Sequence, residues 1–215
     1  MSFNRPPKPS RDPLNRAFYL PRLPREHYQA DAVAFWTLTI FDKARGWLTP
    51  AFHHSFRELM FHVAAREGLL CPIYCLMPDH LHLVWMGLRP DSDQFTGMAL
   101  LRTYLEPELS PAKFQPQAPD EVLCGEQRKR NAFAKVCFYI AANPVRAGLI
   151  NVKEIWPFTG CVVPGYPKLN TTDDVFGPTF LRIYSKLRQP DAGNVKRPPI
   201  GSNKIRDSSR RLLQK

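Results

Sequence analysis

His80 and His82 sit two residues apart in the run from Met77 to Trp85, MPDHLHLVW. On a β-strand, residues i and i+2 project from one face. Both imidazoles then leave the sheet side by side, with Val84 on their face and Leu81, Leu83 and Trp85 on the other. Such a pair offers two neutral nitrogen donors to one cation. The same spacing also suits strand histidines that are simply packed or solvated. A second pair begins 57 residues beyond His82, where Tyr139 and Asn143 stand four apart and so one above the other on a helix. A tyrosine phenol is a nucleophile towards phosphorus, and an amide oxygen one turn on is a hard donor that can complete a metal site. Equally, Tyr139 fits a core aromatic and Asn143 a helix C-cap. Held together, the two imidazoles and the amide would seat a divalent cation, Mg2+ or Mn2+, beside the phenol, with positions left open for phosphate oxygens. Attack by the tyrosine would leave a phosphotyrosine and a free 3′-hydroxyl.

The elements that must position these residues are readable in outline. Residues 32–41, AVAFWTLTIF, are β-branched and aromatic and predict a strand. Thr49 caps a helix with Pro50 at its first position; Phe52, Phe56, Leu59, Met60 and Val63 form its apolar stripe and Gly68 ends it. His53, His54 and His62 fall beside or away from that stripe, as surface or boundary residues. Residues 69–77 read as a second strand, with Pro72 marking an edge or a strand start. The Pro78-Asp79 turn leads into the histidine strand, and Ser92 is placed to cap a helix over residues 93–105. Prolines 107, 111, 116 and 119 predict an irregular connection, with a short strand at 120–124.

The helix carrying Tyr139 is expected from about Glu126 to Asn143, because Pro144 disfavours helix at the residue before it. Ala132, Val136, Tyr139 and Ile140 share its stripe, and Gly148 makes the following turn. A strand within 156–163 and a short amphipathic helix with Phe180, Ile183, Tyr184 and Leu187 inward, and Arg182, Lys186 and Arg188 outward, complete the order; disorder is expected from Gln189 onward. A helix after the first strand and a hairpin after that helix indicate an α+β fold, a ferredoxin-like α/β sandwich with an antiparallel sheet. Domain boundaries are expected at 1–30 for a basic, Pro/Arg-rich arm, 31–163 for the body and 164–215 for a basic C-terminal extension.

Charge is distributed unevenly. The net +11 comes from six Lys/Arg against one Asp in residues 1–25 and ten against two in 182–215, while 26–181 hold 14 positive and 16 negative residues. Basic ends on a slightly acidic body point to a polyanion such as nucleic acid. No apolar run is long enough for a membrane span and no apolar signal core is present. Five unpatterned cysteines, Cys71, Cys75, Cys124, Cys137 and Cys161, indicate a reduced, cytoplasmic setting with buried strand thiols.

The segments MPDHLHLVW and YIAANPVRAGLI, in that order, resemble the HUH-type single-tyrosine transposases, in particular the REP-associated tyrosine transposases. The resemblance covers residues 32–150 and is more specific in the second segment. It implies an HUH endonuclease domain in which His80, His82 and Asn143 bind the metal and Tyr139 is the nucleophile. The implied activity is metal-dependent nicking and rejoining of single-stranded or hairpin DNA, by a monomer or homodimer. Lys135, Arg146, Arg182 and Lys186 are the expected nucleic-acid contacts, together with the basic ends. Asp79 departs from the pattern, standing where the family often has Asn, and the stretch before the tyrosine helix is proline-rich. Two alternatives remain: a domesticated, non-catalytic nucleic-acid-binding protein of the same fold, and a metal-dependent phosphodiesterase acting on something other than DNA.

Overall fold

The computed structural model describes residues 22–123 and 132–188. Five strands, β1 (Val33–Thr39), β2 (Leu69–Met77), β3 (His80–Gly87), β4 (Asp120–Val122) and β5 (Thr159–Val162), form one sheet in the order β4-β1-β3-β2-β5. Every neighbouring pair is antiparallel. Four α-helices are described: α1 (Pro50–Glu67), α2 (Gln94–Leu109), α3 (Ala132–Arg146) and α4 (Phe176–Leu187). Helices α1 and α2 cover one face, where Trp36, Leu38, Leu81, Leu83 and Trp85 meet Phe56, Met60, Leu101 and Leu105. Helices α3 and α4 cover the other, where Val33, Val84, Met86, Ile73 and Cys75 meet Ile140, Phe180 and Ile183. The expected α+β sandwich is therefore present, with all five expected strands in one sheet and a helical layer on each face.

Alternation along the strands decides which chemistry faces which layer. In β1 and β3 the odd positions Leu81, Leu83 and Trp85 and their register partners Leu38, Trp36 and Ala34 point to α1 and α2. His80 and His82 pair with Thr39 and Thr37 of β1, and with Met77 and Cys75 of β2. A one-residue slip would bury both imidazoles among the leucines and turn Trp85 into the layer beneath α3, so the apolar set locks the register. All nine residues of β2 are buried, because β3 and β5 flank it and helices lie on both sides.

Several local expectations are corrected. Pro72 does not mark an edge: β2 is internal, and the proline sits where pairing with both β3 and β5 shifts register. A bulge leaves a residue outside the ladder, so the missing N–H costs no bond there. The cap of α2 is Asp93, whose Oδ1 accepts from Thr96 N at 3.0 Å, and not Ser92. Ser92 instead donates to the Gly68 carbonyl at 2.6 Å. Helix α2 runs past Leu105 and through Pro107 to Leu109, whose side chain is buried in the first core.

Helix α3 passes through Pro144 and ends at Arg146 rather than Asn143. Gly148, at φ +67°, closes it: Gly148 N donates to Val145 O at 3.0 Å and Leu149 N to Pro144 O at 2.9 Å. That is a Schellman closure, which satisfies the last carbonyls and holds the turn that proline weakens. The start expected near Glu126 lies outside the described residues, as do Cys124, residues 1–21 of the arm and 189–215 of the C-terminal extension. Residues 22–30, assigned to the arm on sequence, pack on the body: Tyr28 is buried in the first core, Arg22 pairs with Asp120 at 2.8 Å and Arg25 with Asp93 at 2.7 Å. Helix α4 likewise seats Phe180 and Ile183 in the second core. No helix among the described residues is long and apolar enough to cross a membrane. Cys71, Cys75 and Cys161 are buried free thiols, and Cys137 is a partly buried one.

Candidate active site

Strand β3 opens on His80 directly after the Pro78-Asp79 turn, so its first two outward positions carry the imidazoles. Their Nε2 atoms face each other at 3.1 Å, with ring centroids 4.6 Å apart. Each ring is held from its other nitrogen. His80 Nδ1 lies 2.6 Å from Asp79 Oδ1, and His82 Nδ1 lies 3.0 Å from Thr37 Oγ1 on the neighbouring strand. His82 is 7% exposed, and its pKa is pushed down to about 4 by that burial and then by the charge of His80. It is therefore a neutral nitrogen donor across the physiological range. Burial acts to raise the Asp79 carboxyl, but the hydrogen bond from His80 and the charges of His80, Arg45 and Lys43 hold it below the usual range.

Tyr139 comes from the opposite layer. Its ring meets His82 edge-on at 6.2 Å and Phe35 at 6.3 Å, while Phe35 lies 5.3 Å from His82. The Arg146 guanidinium stands over the Tyr139 ring at 4.7 Å, two turns along the same face of α3. At 42% exposure, Tyr139 is open to solvent where His82 is sealed. The expected stripe on α3 is partly corrected: Phe133, Val136, Cys137 and Ile140 pack on the sheet, with Tyr139 at the flank. Packing of those four against β2 and β3 is what presents Tyr139 to the histidines.

Asn143 follows one turn after Tyr139 and is 8% exposed, and its Nδ2 is a buried atom with no hydrogen-bond partner. An amide with one unpartnered end can present its oxygen there instead. Among the described residues no three His, Cys, Asp or Glu side chains are grouped to hold a cation. A cation here would rest on the two imidazoles and this amide, a mixed nitrogen and oxygen set open to Mg2+ and Mn2+ and also to later transition metals.

The structure thus brings His80, His82, Tyr139 and Arg146 together, with Asn143 buried on the same helix. Lys135 is exposed one turn before Tyr139 on that helix face; Arg182 and Lys186 are exposed on α4, a separate element. Sequence reasoning missed Thr37 and Phe35. Their only signal was alternation in FWTLT, which becomes informative once the pairing of β1 with β3 is known. Asp79 stood out only as a departure from the family pattern, not as the partner of His80.

Neither a family model nor a curated relative matches the sequence. A solved structure of a REP-associated tyrosine transposase bound to a REP hairpin superposes on 85% of this chain and 97% of its own, with a TM-score of 0.53 and 18% identity. At that identity the likeness is one of fold: this chain has the α+β architecture of that transposase structure.

Proposed function

We propose that the protein is a metal-dependent tyrosine transposase or nickase that acts on single-stranded or hairpin DNA. The observation that carries this reading is the placement of Tyr139 beside a pair of imidazoles whose Nε2 atoms converge. The likeness to a hairpin-bound tyrosine transposase supports the substrate class.

In this reading His80, His82 and the Asn143 amide hold Mg2+ or Mn2+, which supplies Lewis-acid polarisation of the scissile phosphate. Tyr139 Oη attacks phosphorus, the bond from phosphorus to O3′ breaks, and the departing O3′ takes a proton to become a free hydroxyl. The DNA 5′-phosphate is left on the tyrosine, and a later 3′-hydroxyl reverses the step to rejoin strands. Arg146 holds the Tyr139 ring from one side, and its charge lies where the anionic backbone must approach. Lys135, Arg182 and Lys186 are assigned backbone contacts.

Incubation of the full chain with hairpin-bearing single strands and Mn2+ is the direct test. A covalent protein–DNA band that disappears in Tyr139→Phe, with DNA binding retained, supports the reading. An adduct that persists in Tyr139→Phe rules out the nucleophile. Binding without any adduct under all metals favours a non-catalytic DNA-binding protein of the same fold.

A further inference from the structure

The partners of the two histidines are chemically unequal. Asp79 is acceptor-only when ionised, so at 2.6 Å it requires a hydrogen on His80 Nδ1. In a neutral His80 that leaves Nε2 with a lone pair directed at His82 Nε2, 3.1 Å away. Thr37 is different, because a hydroxyl both donates and accepts. Without a cation, one arrangement satisfies all four ring nitrogens with neutral rings. The Thr37 hydroxyl donates to His82 Nδ1, His82 Nε2–H donates to His80 Nε2, and His80 Nδ1–H donates to Asp79. For both Nε2 atoms to ligate a cation, the His82 hydrogen must leave Nε2. Thr37 provides for this: its hydroxyl turns over and accepts from His82 Nδ1–H, so neither ring nitrogen of His82 is orphaned.

Resting on the metal reading above, we propose that Asp79 and Thr37 are positioning residues that set the tautomers of the pair. Asp79 locks His80 as Nδ1–H in both states. Thr37 serves either tautomer of His82, so that a cation replaces the hydrogen between the rings. The hydrogen moves from Nε2 to Nδ1 of the same imidazole, and the number of bound protons does not change. Asparagine at 79, whose amide presents a donor as well as an acceptor, would not impose one tautomer on His80. The carboxylate in this chain does.

Nitrogen-15 NMR of the full chain reads this without any activity assay. In the metal-free wild type, His80 is expected as Nδ1–H and His82 as Nε2–H; on saturation with Mg2+, His82 becomes Nδ1–H. Thr37→Val removes the acceptor that the loaded state needs and is expected to weaken Mn2+ binding at least about tenfold, while Thr37→Ser restores it. Asp79→Ala is expected to release His80 into mixed tautomers. The proposal is overturned if wild-type His80 carries its hydrogen on Nε2, if saturating Mg2+ leaves the His82 tautomer unchanged, or if Thr37→Val binds Mn2+ as tightly as wild type. A wild type that binds neither cation removes the metal reading of the preceding subsection, and the Thr37 switch with it. The metal-free tautomers then still decide whether Asp79 orients His80.

Discussion

At the scale of single residues, the site divides into sealed and open groups. His82 is buried and neutral, Tyr139 half-exposed, and the Arg146 guanidinium stands over the Tyr139 ring. Arg146 therefore has two separable roles. Its contact with the Tyr139 ring is worth about 0.5–1 kcal/mol at an exposed site, and as the proposed phosphate contact it would contribute one unit of charge to DNA binding. Arg146→Ala is expected to lower unfolding free energy by that small amount in urea titrations and to reduce the salt slope of DNA binding by about 1. A reduced salt slope with unchanged stability would leave only the phosphate role.

Among the elements, α3 is the one on which the site depends, and its end is a backbone device. An L-residue in the left-handed region costs roughly 1–2 kcal/mol, so Gly148→Ala is expected to destabilise by about that much in denaturant unfolding and to fray the turn behind Asn143 and Arg146. Strand β3 is constrained at its other end. A Cβ on Gly87 would lie 1.7 Å from the Ala30 carbonyl oxygen, so Gly87→Ala should cost about 1–3 kcal/mol as residues 28–32 are displaced.

Helix α1 carries a pH sensitivity of its own. His53 packs on Tyr74 and Phe158, and its pKa falls from 6.5 to about 4 through burial and then through Arg57 and His54. Between those values the unfolded chain binds more protons than the folded one. The contribution of His53 is thus complete above about pH 6.5 and is lost as pH falls towards 4. His53→Gln, which can still bond the Tyr74 hydroxyl, is expected to flatten that part of the stability profile measured by urea titration.

These elements also show what a sequence conveys. Helix α1 was legible at both ends because Thr49, Pro50 and Gly68 each have one strong backbone preference, and observed capping follows them. The histidine face was legible because period two leaves no choice once Leu81, Leu83 and Trp85 are buried. The end of α3 was not, because Pro144 signals only its own missing donor, while the compensating bonds come from Gly148 and Leu149 further on. Ser92 and Asp93 are equally good caps on paper; burial of Ser92 against Gly68 settled which one took the role. Thr37 needed a partner 45 residues away in sequence, which no local pattern contains.

For the whole molecule, the charge distribution assigns the basic ends a share of the proposed DNA binding. Removing residues 1–21 and 189–215 together is expected to lower affinity for a single-stranded hairpin and flatten its salt dependence, by about 0.7 in slope for each phosphate that the ends no longer neutralise. An unchanged slope in fluorescence-anisotropy titrations would assign DNA binding to the body alone.

The sheet keeps two cores apart, one under α1 and α2 and one under α3 and α4, and the reactive side chains all lie on the second. A consequence follows for how this protein can change over time. Substitutions among Phe56, Met60, Leu101 and Leu105 adjust stability from behind the sheet, without touching the groups proposed to meet DNA. A lineage can accumulate a reserve of stability on that side and spend it on trials around Tyr139 and the histidines. Directed evolution that first optimises the rear core should therefore tolerate more substitutions at the front than selection that begins at the site.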